Sequence, residues 1–165
     1  IKVWGQGYIG MIPVPIILTV IIFGISAYLF YKTKFGRYTV SIGSNEEAAK
    51  LVGINVDKIK ILVFVLSGVF CAIAGIILAS RSEAAIPTAG NAYEMDAIAA
   101  TVIGGTSMSG GKGNMFGTAL GAILMATIKN GLSLLNVNTF WHQVVIGLFI
   151  LFAVALDGFA AKKVN

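Results

Sequence analysis

Two stretches of this chain carry no charged residue and are long enough to cross a lipid bilayer: Ile12 to Tyr31, IPVPIILTVIIFGISAYLFY, and Ile61 to Ser80, ILVFVLSGVFCAIAGIILAS. A helix needs roughly 20 apolar residues to span the hydrocarbon core, and inside it every backbone N–H and C=O must be satisfied by the helix itself. That constraint sets the fold class. The chain is expected to be all-α, a polytopic membrane helix bundle. Composition agrees, with 57% hydrophobic and 12% charged residues and a mean hydropathy of +0.88.

Three further apolar runs follow. Met95 to Ser109, MDAIAATVIGGTSMS, is short for a span and is interrupted by Gly104 and Gly105. Such a helix is tolerated in a membrane where it is buried in protein or borders a water-filled cavity, so it is the best pathway-lining candidate, with Thr101, Gly104 and Gly105 among its residues. Met115 to Leu135 starts on a tandem GxxxG stripe, Gly113, Gly117 and Gly121, where another helix backbone can come close. Its far third carries Thr127, Lys129, Asn130 and Ser133, polar groups expected to face protein, a cavity or the interface, with Lys129 snorkelling outward. Phe140 to Phe159 is the last span, entered through Phe140, Trp141 and His142 and followed by Lys162 and Lys163. In the second long run Cys71, Gly75 and Ala79 recur every fourth position, which makes Gly75 a helix-packing candidate.

The longest strongly polar stretch, Gly36 to Lys60, lies between the two long runs. Its centre reads as a short helix with explicit ends, Ser44 and Glu47 forming an S-x-x-E capping box and Gly53 supplying the stop. Asn45 lies inside the box. Glu46 and Glu47 suit the positive end of the helix dipole and Lys50 the negative end. Ala48, Leu51 and Val52 fall at i, i+3 and i+4, giving one apolar face able to dock on another protein.

Lysine and arginine orient the spans. The Gly36–Lys60 connection, with Lys32 and Lys34 before it, holds Arg37, Lys50, Lys58 and Lys60 and is expected in the cytoplasm. Five crossings then put Arg81 to Glu94 outside, Lys112 inside, Asn136 to Thr139 outside, and Lys162 and Lys163 inside. A cytoplasmic C-terminus follows.

Other chemistry finds little support. Gly5, Gly7 and Gly10 match G-x-G-x-x-G, but Pro13 and Pro15 follow directly and no ribose-binding acid stands at the right distance; Trp4 and Tyr8 there suit headgroup depth. Ser109 to Gly113, SGGKG, fails the phosphate-loop spacing, since Thr106 stands where the first Gly belongs and Gly113 follows Lys112. Cys71 is the only cysteine and His142 the only histidine, so no metal set is expected. The net charge of +5 is explained by lysines beside the spans and calls for no nucleic-acid partner. No nucleophile with a base and no paired acids suggest an enzyme.

These motifs, taken in order, resemble the membrane permease subunits of bacterial ABC importers for ribose, galactose and related sugars. GRYTVSIGSNEEAAKLVGINVDKIK resembles that family's cytoplasmic coupling loop, YEMDAIAATVIGGTSMSGGKG its most distinctive motif, and FWHQVVIGLFILFAVALD its last span. The likeness covers nearly the whole chain and corresponds to the C-terminal half of such a permease. With Ile1 rather than Met at the start, residues 1–165 are expected to be part of a longer permease domain, with 36–60 its coupling loop.

The resemblance implies a bacterial inner-membrane protein that pairs with a second permease copy, as homodimer or heterodimer. It further implies an ATPase subunit carrying ATP and Mg, with no cofactor on this chain, and a sugar-binding protein outside. Ser44 to Gly53 would sit in a groove of the ATPase, and Arg81 to Glu94 would face the binding protein. Glu94 and Asp96, at the outer mouth of the short helix, would touch the binding protein or cap that helix. Two alternatives are a channel or ion-coupled carrier, which would bury an ionisable group near the middle of a span, and a permease fragment that does not itself transport.

Overall fold

A computed structural model describes residues 7–9, 12–84 and 86–162; Trp4, Gly5, Gly10 and Lys163 lie outside them. Apart from connecting loops, the described chain is helical, with one antiparallel pair of two-residue strands, β1 (Tyr8–Ile9) and β2 (Ile12–Pro13), in which Ile9 stands opposite Ile12. It divides into two compact units, Ile1–Gly90 and Asn91–Asn165.

In the first unit, α1 (Val14–Lys32) starts directly after Pro13, with Pro15 in its first turn, where a missing N–H leaves no helical bond unmade. Thr33, in extended conformation, breaks it from α2 (Lys34–Ser44). The corner is so tight that a Cβ on Gly36 would stand 1.9 Å from the Phe30 carbonyl oxygen. Only glycine fits there. Next come α3 (Glu46–Leu51) and α4 (Val56–Ser82), the latter capped by the Asn55 side chain accepting from the Lys58 N–H at 3.1 Å. At 1.5 Å per residue α1 is about 28 Å long and α4 about 40 Å, each enough for the hydrocarbon core. The most apolar windows of both helices bury nothing within the chain, as expected of flanks that meet lipid or other helices. Gly75 is part of this open surface, since a Cβ there would meet nothing within 4 Å among the described residues.

The second unit contains α5 (Tyr93–Ile103), α6 (Met115–Leu134) and α7 (Thr139–Lys162). Gly104 and Gly105 do not interrupt a longer helix, as the sequence suggested; they end α5. Gly105 adopts φ +84° and donates to Val102 O while Thr106 N donates to Thr101 O, the paired closure of a helix C-terminus by a left-handed glycine. The chain then loops through 106–114, and Asn114 caps α6 by accepting from the Gly117 N–H at 3.0 Å. Asn136, at φ +54°, closes α6 in the same way that Gly105 closes α5. Ala99, Ala100, Met125 and Ile146 form the buried core of this unit, flanked by Ile103, Ile128 and Ile150.

Helices α1, α4 and α6 are long and apolar enough to cross a membrane, and α7 contains a shorter apolar stretch, Trp141–Phe152. Eleven residues make α5 only about 16 Å long. It runs antiparallel to α6, as Gly104 beside Gly117 and Ala100 beside Gly121 establish. The protein is a multi-pass, all-α membrane protein.

Candidate functional site

Two regions carry the polar chemistry, one in each unit. In the first, α3 is a single short helix held at both ends. Its N-cap is Asn45, whose Oδ1 accepts from the Ala48 N–H at 2.9 Å. The capping box expected from Ser44 and Glu47 is therefore not formed; a single side-chain cap from Asn45, one residue on, takes its place. Ser44 is the last residue of α2, a helix the sequence did not announce, and the break in helical backbone falls at Asn45, whose side chain caps as well as serine does. At the other end Gly53, at φ +82°, donates to Lys50 O while Ile54 N donates to Ala49 O, closing the helix by the same left-handed device.

Side chains add a second set of ties. Glu46 accepts from Lys60 on α4 at 2.6 Å and from Lys50, one turn on, at 2.9 Å. These two ammonium groups, Lys60 foremost, lower its carboxyl pKa from 4.5 to about 2, and the same carboxylate raises that of Lys50. Ala49 on α3 and Val56 at the start of α4 are buried at 1% and 3% exposure, whereas Leu51 and Val52 stand 88% and 74% exposed. Ala48 and Glu47 are exposed too. The loop thus pairs Glu46 with two lysines and caps its own helix, yet leaves two aliphatic side chains in the open.

The second region is the α5–α6 hairpin. A Cβ on Gly104 would stand 2.4 Å from the Gly117 backbone, one on Gly117 1.9 Å from Gly104 O, and one on Gly121 2.1 Å from Ala100 O. The stripe anticipated for Gly117 and Gly121 is met by α5. Gly113 precedes α6, half-buried in the connection.

Farther along the same two helices, Asp96 of α5 forms an ion pair with Lys129 of α6. The Lys129 ammonium also stands 5.6 Å from the centroid of the Tyr93 ring, within cation–π range. Lys129 therefore turns toward a carboxylate instead of snorkelling outward. Nor does Asp96 cap α5: the N-cap is Ala92, at φ +67°, without a side-chain hydrogen bond. A cavity of about 340 Å³ opens here, lined by Tyr93, Asp96, Ala100, Ala122, Ala126 and Lys129.

Of the residues proposed for a pathway, only Asp96 reaches this cavity. Thr101 and Thr127 donate to Ile98 O and Ile123 O of their own helices at 2.8 Å, Glu94 and Asn130 are exposed, and Gly104 and Gly105 sit at the far end of α5. The pairing of Lys129 with Asp96 escaped sequence reasoning because the two lie 33 residues apart along the chain. Among the described residues no cluster of three or more His, Cys, Asp or Glu is placed to hold a metal ion.

Residues 3–154 match the family model described as branched-chain amino acid transport system / permease component. The chain belongs to this permease family. Among curated relatives, the ribose import permease protein of Bacillus subtilis is 50% identical over 156 residues, covering 94% of this chain and 48% of the relative. That of Haemophilus influenzae is 46% identical over 159 residues (96% and 49%), and the same organism's xylose transport system permease protein is 47% identical over 152 residues (92% and 40%). The permease chain thus spans about half the length of the curated relatives it matches. No solved structure matches it.

Proposed function

We propose that this chain is the transmembrane permease part of an ATP-driven importer of ribose-like monosaccharides in the bacterial inner membrane, working with a second permease copy and an extracytoplasmic sugar-binding protein. Ser44 to Gly53 is its docking element for a separate ATPase that carries ATP and Mg. The observation that carries this reading is α3 itself, which is capped by Asn45, closed by Gly53 and tied to α4 through Glu46 and Lys60, with Leu51 and Val52 uncovered. Such a helix moves with the span it is tied to, so a displacement imposed at Leu51 reaches α4 as a body. The names of the relatives favour ribose and xylose over other cargo.

ATP and the sugar-loaded binding protein would stabilise different arrangements of one bistable bundle, which is what couples them. The lysines around α2 to α4 favour a cytoplasmic position for this loop by the positive-inside rule, and Lys162 and Lys163 favour the same for the C-terminus. An ion-coupled carrier draws some support from the half-buried Asp96, but that carboxylate already has Lys129 as its counter-ion. The test is sugar uptake into proteoliposomes that hold the full-length permease, its neighbouring ATPase and its binding protein. ATP-dependent uptake that the Asn45→Ala and Glu46→Ala double variant lowers, at unchanged permease content, is the expected result. Uptake indifferent to ATP, or to that variant, contradicts the reading.

A further inference from the structure

The span α1 ends in a cluster of cations with no acid beside it. Lys32 closes α1, and Lys34 and Arg37 stand in the first turn of α2, all three exposed. Among the described residues none of the three is ion-paired, and the nearby Glu46 is already taken by Lys50 and Lys60. The helix they enter is amphipathic. Lys34, Arg37, Ser41 and Ser44 recur at i, i+3, i+7 and i+10 and form one exposed face. On the opposite face, Thr39 and Ile42 line a small cavity together with Ile59, Val63 and Phe64 of α4. The cationic face is therefore turned away from α4.

Depth decides the partner. At about 28 Å, α1 is only just as long as the hydrocarbon core is thick, roughly 30 Å, so its last turn lies at a bilayer boundary. Tyr28 and Tyr31, exposed at 64% and 43%, stand at that boundary as the aromatic side chains of a membrane belt do. The chain does not run straight out from there, because the corner at Thr33 brings Gly36 back against the Phe30 carbonyl. Arg37, the next residue, is thereby held near the level of the last turn of α1. Three unpaired cations at headgroup depth suit a phosphodiester, whereas a soluble protein would have to displace the headgroups to reach them. A zwitterionic lipid brings its own cation beside the phosphate, so the lipid favoured here is one with net negative charge. We propose that Lys32, Lys34 and Arg37 bind the headgroup phosphate of an anionic phospholipid in the leaflet next to the polar loop. Such a lipid ties α2 to the bilayer, and α2 carries α3 at its C-terminal end. The contact stands whatever the chain transports.

The contact is tested by tryptophan quenching in reconstituted bilayers. In the full-length permease with its other tryptophans replaced by phenylalanine, Tyr28→Trp places a reporter one turn before Lys32, and Ile16→Trp places one at the far end of α1. Phosphatidylcholine vesicles are enriched stepwise in brominated phosphatidylglycerol, or in brominated phosphatidylcholine as the reference, and the dependence of quenching on composition gives the relative binding constant beside each reporter. At position 28 phosphatidylglycerol should be preferred at least roughly fivefold, the factor that one lysine or arginine supplies near an anionic leaflet. Lys32→Gln, Lys34→Gln and Arg37→Gln together should bring that preference to parity and leave quenching at position 16 unchanged. Lys34→Arg with Arg37→Lys, which keeps the charge, and Lys58→Gln with Lys112→Gln, which removes charge elsewhere, should both retain it. No preference at position 28, a preference that survives the triple change, or one that falls alike at both reporters overturns the lipid contact. So does selective displacement by inorganic phosphate at an ionic strength matched with chloride, which would make the ligand a soluble anion.

Discussion

The polar loop of the first unit and the α5–α6 hairpin of the second use the same kinds of residue to opposite ends. In the loop, the Glu46 carboxylate is paired and the apolar tip is uncovered: Glu46 has two ammonium partners, while Leu51 and Val52 are 88% and 74% exposed. The hairpin reverses this, with its small residues covered by a neighbouring helix and its ion pair, Asp96 with Lys129, half-buried. An element whose unmet need is apolar is suited to a protein partner. The contrast also separates local from tertiary stability, because the loop is held by caps and the hairpin by backbone contact.

The largest expected effect breaks the hairpin side of the contrast. Gly117→Val places side-chain atoms against the Gly104 carbonyl, and a backbone cannot rotate away as a side chain can. The expected loss is about 3 kcal/mol, at the upper end for overpacking, seen as a sharp fall in folded yield and thermal midpoint in detergent. Gly75→Ala, at a site with open space, should leave both unchanged.

Next come the ion pairs. Lys129→Met strands the half-buried Asp96 and should cost about 2–3 kcal/mol, somewhat below the figure for fully buried pairs, and adding Asp96→Val should recover most of it. Lys60→Met, in a pair whose side chains are 48% and 40% exposed, should leave the thermal midpoint almost unchanged, since exposed ion pairs contribute little. A double-mutant cycle in detergent reads both. Similar costs for the two lysines would erase the distinction between the regions.

Smaller again is the cap of α3. Asn45→Ala should weaken amide protection in Glu46–Leu51 by about 1 kcal/mol, while Ser44→Ala should do almost nothing. The reverse order would restore the capping box that the sequence suggested. The smallest effect is on pH. Because the Glu46 carboxyl is lowered to about 2 when folded, from 4.5, its ties are fully present above pH 4.5 and are lost as pH falls toward 2. Protection factors in the loop should therefore be flat from pH 7 to 5 and decline only below that.

What was legible in the sequence follows the same divide. Uncharged runs gave α1 and α4, and Gly53 gave the end of α3, because length, charge and left-handed glycine are local properties. The loop's apolar tip was readable from spacing alone. Helix α2 was not, since its Gly36, Gly43 and Thr39 are weak helix formers and the turn at Thr33 is set by packing against Phe30. The cap slipped by one residue for the same reason. Asp96 and Lys129 were each visible as costly polar groups, but their pairing depends on the antiparallel register of α5 and α6, which the Gly104–Gly117 contact fixes and no periodicity reveals.

In the proposed importer, Leu51 and Val52 are uncovered because they dock on an ATPase. The most direct measurement is recovery of the ATPase with affinity-tagged full-length permease when both residues are replaced by Asp. Neither side chain is buried in the chain, so membrane insertion and thermal midpoint should match wild type while ATPase recovery falls at least tenfold. Unchanged recovery at normal permease levels would contradict the docking role.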